Sequence, residues 1–510
     1  MKKMFCVLII LLWLSTLLYS QSAMRYIDST FTEVQTYTNQ VYASAPQLTV
    51  PYLGESSTAA VDLKIHLFEP HGDALKQRPM LVCFHGGGFV SGSKEHDDMI
   101  EFCKIFARKG YVTVTAQYRL GMNLLSNTSG ERAAYRAIQD CRALLRFLRE
   151  NAGALKISPD HIYVLGSSAG AFIALHNVFL NKEAERPPGT FLINNFPPTT
   201  NNGPDLGGLD AIGSYAAQNS QANGIVSLWG ALQDTSLIEA ADPHIPVLLI
   251  HGTADAIVPF GLGSPFQVPT LSATYGSQLI DKRLTGLSYP HETYFVQGQG
   301  HEFYGVVNGN WSPAPNQYWY IIVDKVRDFL FDIHKPAASF DQIVNGAQVT
   351  FTNNSTNAIA WHWDFGDGSS SEAKSPTHTY TISGSYNVTL TAYSPVFSID
   401  TETKVVNVTV TSVPEEIPLT TVLLQNYPNP FNPSTTIEYS LNATSKVKLE
   451  IYDLLGRLVE KIADKVESAG TKRIVWNAKN LSGGVYIIKM EAVANDGNSY
   501  SSFKKLLLLK

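Results

Sequence analysis

The sequence lacks a surplus of basic residues. Lysine and arginine number 38 against 44 aspartates and glutamates, so the formal net charge at pH 7 is −6. Proteins that bind nucleic acid carry clustered positive charge, and no basic stripe is visible along this chain. We therefore expect no nucleic-acid partner.

Cysteine is also scarce. Outside the N-terminal leader, where Cys6 lies, the chain has only Cys83, Cys103 and Cys141, so at least one thiol stays unpaired. Cys103 and Cys141 fall on predicted helices that would cover opposite faces of a sheet, and we expect no disulfide between them. No spacing of ligating residues indicates a metal site. The sequence predicts no metal and no cofactor.

The N-terminal apolar run is too short to span a bilayer comfortably. It extends from Phe5 to Leu18, after two lysines and before the small residues that end at Ala23. This pattern predicts a secretory signal peptide over residues 1–22, with a membrane anchor as the alternative. A chain of 510 residues is long enough for about three domains.

Short apolar strands alternate with amphipathic helices from Tyr26 to about His334. This rhythm predicts an α/β domain over residues 23–336, built on a mostly parallel sheet flanked by helices. One helix is expected from Glu131 to Asn151, because Thr128 and Glu131 have the spacing of a capping box. The predicted strands are Val61–Phe68, Met80–Phe84, Val112–Ala116, His161–Leu165, Ile225–Trp229, Pro246–Ile250 and Glu292–Val296.

The pattern G-x-S-x-G occupies Gly166–Gly170, between a predicted strand and a predicted helix. A sharp strand-to-helix turn of this kind exposes the hydroxyl of its central serine, Ser168, as a nucleophile. Upstream, His85-Gly-Gly-Gly-Phe89 follows another strand. The backbone N–H groups of this glycine loop and of Ala169 are therefore candidates for an oxyanion hole.

An acid and a base are expected after later strands. Asp255 and His301 each follow a predicted strand, where catalytic groups of open α/β sheets collect, and the chain order is Ser, Asp, His. These residues predict a catalytic triad. Other candidates are Asp234 as the acid and, as the base, His85, His251 and His291; the first two of these histidines are expected to brace loops.

Residues 60–334 resemble α/β-hydrolase fold esterases, the hormone-sensitive-lipase-like and acetyl-esterase group in particular. The resemblance is carried by H-G-G-G-F at 85–89, Gln117–Leu120, G-S-S-A-G at 166–170, H-G-T-A-D at 251–255 and G-H-E-F at 300–303. It implies Ser168, Asp255 and His301 as the triad, with an oxyanion hole formed by Gly87, Gly88 and Ala169. Ser167 departs from the acidic residue usual before the nucleophile, which leaves the substrate class open.

Two segments are expected to shape the substrate pocket. Glu183–Asn223, rich in Asn, Pro and Gly, is either a lid or binding loop or a plain surface excursion. Ala256–Pro269, which follows Asp255, is expected to cover the carboxyl edge of the sheet, where the catalytic candidates lie. Four aromatic residues could line the pocket, although a role in the core is favoured for each: Phe89, Trp229, Phe260 and Phe266.

Beyond Lys335 the pattern changes to period-two strands. Residues 337–412 predict a small β-sandwich, and Trp363–Gly368 with Thr377–Tyr380 resemble the polycystic-kidney-disease (PKD) domain, which implies a spacer or a polysaccharide-binding module. A polar linker is expected at Ser412–Pro418. Residues 423–510, opening on Tyr427-Pro-Asn-Pro, resemble the C-terminal sorting domain of the type IX secretion system. That resemblance implies export by this machinery; a generic β-sandwich adhesion module is the alternative.

The sequence therefore predicts a secreted or surface-attached serine carboxylesterase. Its substrate is an ester, with acetyl or feruloyl groups on polysaccharides, short-chain esters and synthetic polyesters all compatible. A prolyl-oligopeptidase-like peptidase is an alternative. Such peptidases usually carry a large N-terminal β-propeller domain, and the segment before the glycine loop is too short to form one. A surface adhesin with an inactive hydrolase domain is the alternative from another class.

Overall fold

The structure, a computed structural model, describes residues 25–49, 55, 57–194, 203–410 and 418–510. The predicted signal peptide, nearly all of the predicted linker and residues 195–202 of the predicted insertion lie outside them. The chain divides into two compact units, the first ending at Thr409 and the second covering Val410–Lys510. No helix in the described ranges is both long and apolar enough to cross a membrane.

An eight-stranded sheet organises the first unit, in the strand order β1-β2-β4-β3-β5-β6-β8-β11. Six of these strands are parallel, and β2 and β1 add an antiparallel edge. The predicted α/β fold with a mostly parallel sheet is confirmed. The strands of the sheet are β1 (Val34–Leu48), β2 (Thr58–Pro70), β3 (Arg78–Phe84), β4 (Val112–Ala116), β5 (Ile157–Ser167), β6 (Gly224–Leu228), β8 (Val247–Gly252) and β11 (His291–Val296).

Helices cover both faces of this sheet. They are α1 (Asp97–Arg108), α2 (Asn127–Glu150), α3 (Ala152–Leu155), α4 (Ala169–Phe179), α5 (Ser277–Gly286) and α6 (Gln317–His334). Short strands at the loops are β7 (Ala231–Leu232), β9 (Leu262–Gly263), β10 (Thr274–Gly276), β12 (Val306–Val307) and β13 (Asn310–Trp311).

Strand β3 shows how the two hydrophobic cores arise. Successive side chains of a strand point to opposite faces, so Val82 and Phe84 join the core under α2, α4 and α5. Leu81 and Cys83 join the core under α1 and α6. All of β3 is buried, as expected for a central parallel strand.

The three described cysteines are free and fully buried. Cys83 and Cys103 lie in the core on one face of the sheet, and Cys141 lies in the core on the other. The expectation of no bridge between Cys103 and Cys141 is confirmed.

Helix α2 begins one turn earlier than its sequence predicts. Its N-cap is Ser126, whose hydroxyl accepts the N–H of Ser129 at 3.3 Å. The predicted capping box of Thr128 and Glu131 is wrong, because the Glu131 carboxylate instead accepts the side-chain amide of Asn127 and the N–H of Gly189.

Residues 340–408 form two small antiparallel sheets, as predicted. Their orders are β14-β15-β18 and β17-β16-β19-β20. Trp363 is fully buried between them, whereas the ring of Trp361 lies beneath the Lys374 ammonium. The strands are β14 (Phe340–Asn345), β15 (Gln348–Asn353), β16 (Ala360–Asp364), β17 (Ser370–Ser371), β18 (Thr377–Thr379), β19 (Gly384–Tyr393) and β20 (Ile399–Val408).

A loop of this β-sandwich packs against the α/β domain. The Tyr26 hydroxyl donates to the carbonyl of Val396 at 2.7 Å, and Nδ1 of His334 lies 3.1 Å from Oγ of Ser398. The Tyr111 hydroxyl lies 2.7 Å from Nε2 of His334. All five residues are buried, so these hydrogen bonds join the two domains within one compact unit.

The second unit is a separate β-sandwich with its own core. Its sheets have the orders β21-β22-β25 and β24-β23-β26-β27. Side chains from both sheets, such as Tyr439 and Leu449, share one buried cluster. The strands are β21 (Val422–Leu423), β22 (Ser434–Leu441), β23 (Ser445–Asp453), β24 (Leu458–Glu467), β25 (Gly470–Asn477), β26 (Gly484–Ala494) and β27 (Ser499–Leu508).

Candidate active site

Ser168 lies at the turn between β5 and α4 in a strained backbone conformation. Its φ and ψ are +53° and −115°, which is rare for a residue other than glycine. The chain is so crowded here that a β-carbon on Gly166 would lie 2.0 Å from the carbonyl oxygen of Gly170. One on Gly170 would lie 2.1 Å from the carbonyl oxygen of Phe84. The two glycines of the motif are therefore needed for the turn that presents the Ser168 hydroxyl.

The structure brings Ser168, Asp255 and His301 together. Asp255 follows β8 and His301 follows β11, so both lie at the carboxyl edge of the sheet beside the end of β5. Nδ1 of His301 lies 2.7 Å from Oδ2 of Asp255, and Nε2 lies 3.0 Å from Oγ of Ser168. Both distances are within hydrogen-bond range.

The hydrogen bonds of Asp255 fix its orientation and its charge. Its Oδ1 accepts the backbone N–H groups of Ile257 and Val258, at 2.8 and 2.9 Å. Burial alone would raise the pKa of Asp255, but interactions with His251 and His301 outweigh burial and hold this pKa below its usual range. The carboxylate is therefore ionised. It can only accept hydrogen bonds, which places the proton of neutral His301 on Nδ1 and leaves Nε2 free to accept from Ser168.

The glycine loop curls beside Ser168. Gly87 and Gly88 have φ values of +112° and +61°, and the N–H groups of Val90 and Ser91 both donate to the carbonyl of Gly87 at 3.0 Å. Ala169 is the first residue of α4, so its N–H has no partner within the helix. The three residues predicted for the oxyanion hole thus line the two cavities that Ser168 also lines.

The other candidate histidines have different partners. His85 stacks on Tyr118 with ring centroids 4.3 Å apart, and its Nδ1 lies 2.7 Å from the carbonyl oxygen of Gly86. His251 is held by Ser277 and by the carbonyl of Val258. Both brace loops, as expected.

The two remaining candidates also have other hydrogen-bond partners. His291 begins β11, at the opposite end of that strand from His301, and its Nε2 lies 3.0 Å from Oδ1 of Asp281. Asp234 caps a short 3-10 turn by accepting the N–H of Ser236. Neither residue contacts His301 or Ser168 through any hydrogen bond found in the described ranges.

Two cavities open beside Ser168. The larger has a volume of about 460 Å³ and the smaller about 430 Å³, and only the smaller is lined by His301. The apolar side chains of the larger cavity include Phe89, Met122, Ile138, Phe172, Leu180 and Val258. The smaller cavity is lined by residues that include Gly87, Leu124, Ile257, His301, Glu302 and Val307.

The four candidate aromatic residues separate into two groups. Phe89 and Phe266 line the larger cavity. Trp229 is fully buried, and Phe260 packs edge-on against His251 and Phe295. Trp229 therefore takes the core role favoured for these aromatic residues, and its indole lies 6.0 Å from the His301 ring.

A layer of buried polar side chains beside Ser168 and His301 has no counterpart in the sequence-based expectations. The Trp229 indole N–H donates to Oγ of Ser167 at 3.0 Å, and the Tyr304 hydroxyl donates to Oδ2 of Asp98 at 2.7 Å. Burial raises the pKa of Asp98 to about 7. The position of Tyr304 soon after His301 was a local signal, but Asp98 lies on α1, too far along the chain for any short motif to connect them.

The predicted insertion is tied to α2 by arginines. Arg132 donates to the carbonyl of Gly189 at 2.9 Å, Arg142 pairs with Asp210 at 2.9 Å, and Arg149 donates to the carbonyl of Asn219 at 2.7 Å. Pro187 alone of the described residues 183–194 and 203–223 lines the larger cavity. The described parts of the insertion therefore form a braced surface segment that borders the site at one point.

Comparisons with protein families agree with this architecture. Residues 65–267 match the BD-FAE family model, residues 337–407 match the PKD domain, and residues 425–507 match the secretion system C-terminal sorting domain. The chain thus contains all three domain types that its motifs resemble.

Curated relatives match over short segments. The chain is 37% identical to gut esterase 1 of Caenorhabditis briggsae over 97 residues, which is 19% of this chain and 17% of that protein. It is 32% identical to para-nitrobenzyl esterase of Bacillus subtilis over 111 residues, 21% of this chain and 22% of that protein. The chain therefore spans only about a fifth of the length of these relatives.

Solved structures similar to this chain include esterase 2 of Thermogutta terrifontis phosphorylated by paraoxon. The match has 20% sequence identity and a TM-score of 0.39, and it covers 58% of this chain and 95% of that one. The family matches and the observed sheet together identify the parts of the molecule. The chain carries, in order, a BD-FAE domain of the α/β-hydrolase esterase type, a PKD domain and a secretion system C-terminal sorting domain.

Proposed function

We propose that the protein is a secreted serine carboxylesterase that works through Ser168, His301 and Asp255. The observation that carries the proposal is the chain of two hydrogen bonds, 3.0 Å from His301 to Ser168 and 2.7 Å from His301 to Asp255. The match of residues 65–267 to an esterase family supports the same chemistry.

The geometry supports an acyl-enzyme mechanism. Oγ of Ser168 attacks the ester carbonyl carbon while Nε2 of His301 takes the hydroxyl proton. The N–H groups of Gly87, Gly88 and Ala169 stabilise the oxyanion, and loss of one such donor typically raises the barrier by about 3 kcal/mol.

The tetrahedral intermediate then collapses. The bond to the alcohol oxygen breaks, and His301 returns the proton to that oxygen. Water, deprotonated by His301, attacks the acyl-Ser168 carbonyl; the bond to Oγ of Ser168 then breaks, His301 returns the proton to Oγ, and the acid is released. Asp255 holds His301 in the required tautomer and stabilises its protonated form through both steps.

The natural substrate is proposed as an ester on an extracellular polymer, either an acetylated or feruloylated polysaccharide or a polyester. The larger cavity, at about 460 Å³, is within the range that holds a drug-sized group and so has room for an aryl acyl chain as well as for acetyl. Export supports a polymeric substrate, because polymers do not enter the cell.

Activity is tested with p-nitrophenyl acetate. We expect turnover by the mature chain and none above background for Ser168→Ala. This substitution removes only one hydroxyl, so the rest of the turn should stay intact. A surface adhesin with an inactive hydrolase domain would show equal, background rates for both proteins. Release of acetate from acetylxylan and of ferulate from feruloylated arabinoxylan then ranks the polymer substrates.

Export is tested in a bacterium that has type IX secretion. We expect the full chain to reach the culture medium or cell surface, and a chain lacking residues 423–510 to remain in the periplasm. The match of residues 425–507 to the sorting domain motivates this expectation. Equal export of both chains would show that residues 423–510 do not carry the sorting signal.

A further inference from the structure

Phe266 is held in an unusual conformation directly beside the nucleophile. It lies in the loop after Asp255, and both Phe266 and Gln267 have left-handed backbone angles, with φ of +57° and +59°. Such angles are sterically unfavourable for residues with a β-carbon. The loop is fixed by the bond from the Phe266 N–H to the carbonyl of Ile257 at 2.7 Å and by the Ser264 hydroxyl, which donates to Leu271.

This conformation lays the Phe266 ring on the oxyanion loop. A β-carbon on Gly88 would lie only 2.6 Å from Cζ of Phe266. Gly88, Ser168 and Phe266 line both of the cavities that open at the nucleophile. Gly88 and Ser168 belong to the reaction centre itself, so the Phe266 ring is the side chain that stands between the two spaces.

The chemistry of the proposed reaction decides which part of the ester each cavity takes. His301 has to reach the departing alcohol oxygen in order to protonate it. The smaller cavity contains His301, so it takes the alcohol part. The larger cavity is lined by Ser168 and Ala169 but not by His301, so it takes the acyl part.

We propose that Phe266 is the specificity-determining wall between the acyl and alcohol sites, and that its ring limits the size of the acyl group. The proposal rests on the proposed esterase activity. With the ring in place, an acyl chain that outgrows the larger cavity meets Phe266 instead of the alcohol site. Without the ring, the two cavities become continuous over Gly88, and a long chain can extend into the second space.

The variant that tests this is Phe266→Gly. Glycine adopts positive φ without strain, so this change removes the ring while keeping the loop conformation favourable. Phe266→Ala is made as a second variant with less backbone freedom. The matched control is Phe172→Ala, because Phe172 lines the larger cavity but not the smaller one. Two substrate series are measured: p-nitrophenyl esters from acetate to dodecanoate, and acetates of alcohols from methyl to naphthyl.

We expect Phe266→Gly to raise the ratio of kcat/KM for dodecanoate over butyrate by about tenfold or more, the scale on which a pocket discriminates small changes in apolar size. The same variant should weaken the discrimination among alcohols. Phe172→Ala should alter only the acyl series. If the wild-type protein turns over esters and both Phe266 variants keep its acyl and alcohol preferences, Phe266 is not a wall between the two sites. A wild-type protein that turns over no ester would instead overturn the proposed function.

Discussion

Nε2 of His251 lies 3.3 Å from Oδ2 of Asp255, the carboxylate oxygen that also faces His301. The same nitrogen lies 3.0 Å from the carbonyl oxygen of Val258, which can only accept, so Nε2 of His251 carries a proton. Its Nδ1 then accepts from the Ser277 hydroxyl, 2.8 Å away. His251 thereby supports Asp255 at the same carboxylate oxygen that faces His301.

Replacement of His251 tests this support. We expect His251→Ala to lower kcat about tenfold with little change in KM, since the binding cavities are untouched and about 1.4 kcal/mol of orientation is lost. His251→Gln keeps an N–H donor and should retain most of the activity. Equal loss in both variants would show that packing, and not the donor, is what matters. The comparison is made by steady-state kinetics at equal folded concentration.

Asp255→Asn tests the tautomer of His301. An asparagine amide can donate to Nδ1, which would shift the proton of His301 to Nε2 and deprive Ser168 of its base. We expect kcat to fall by about 10⁴ while the fold is kept. Circular dichroism and the unfolding midpoint serve as the control for folding. A loss of less than tenfold would remove Asp255 from the triad and reopen the choice of acid.

Asp98 should make stability depend on pH. Burial raises its pKa to about 7 in the folded protein, whereas an unfolded aspartate titrates near its ordinary value of 3.8. Between these values the folded state binds more protons, so the free energy of unfolding should fall as pH rises from about 4 to about 7, by on the order of a few kcal/mol.

The matched pair for this test is Asp98→Asn and Asp97→Asn. The first removes the titrating group but keeps an acceptor for Tyr304, so the fall in stability over this pH range should flatten. The neighbouring Asp97 is exposed and contributes only a small part of the shift of the Asp98 pKa, so its replacement should change the slope far less than Asp98→Asn does. Urea unfolding at several pH values measures both slopes, and parallel curves for all three proteins would refute the assignment to Asp98.

Removal of the PKD domain should destabilise the hydrolase domain. Truncation after residue 336 exposes Tyr26 and His334 and removes their partners Val396 and Ser398. Each of the two lost hydrogen bonds contributes about 0.5–1.5 kcal/mol, and the aromatic rings also lose apolar burial, so we expect the unfolding midpoint to drop by roughly 5 °C or more.

Truncation after residue 409 is the control. It removes the second compact unit and keeps the contacts of Tyr26 and His334, so the midpoint should match that of the longer chain. Differential scanning calorimetry compares the three lengths. Identical midpoints after truncation at 336 and at 409 would favour the PKD domain as a simple spacer.

The sequence could predict features that depend on residues close together in the chain, such as buried strands and tight turns. Buried strands such as Val112–Ala116 read directly as apolar runs, and the glycines around Ser168 require one kind of turn. The order of strands places the loops of Asp255 and His301 at the same edge. Local pattern therefore led to the three residues that the structure brings together.

Features that depend on distant partners could not be predicted. Glu131 has the spacing of a capping residue, yet Gly189 of the insertion recruits its carboxylate. The edge strand β1 is largely exposed on both faces over its first half, so its apolar alternation is weak. The position of the Phe266 ring over Gly88 depends on a loop conformation that tertiary contacts impose against local preference.

The buried thiols give this protein an internal reporter of opening. Because Cys83, Cys103 and Cys141 are fully buried, and burial raises the pKa of Cys83 and Cys141, none should react with an aromatic disulfide reagent in the native mature chain. Two of them lie on one side of the central sheet and one on the other. The number of thiols labelled during mild denaturation therefore tells which layer of helices separates first: two equivalents for the layer of α1 and α6, one for the layer of α2, α4 and α5.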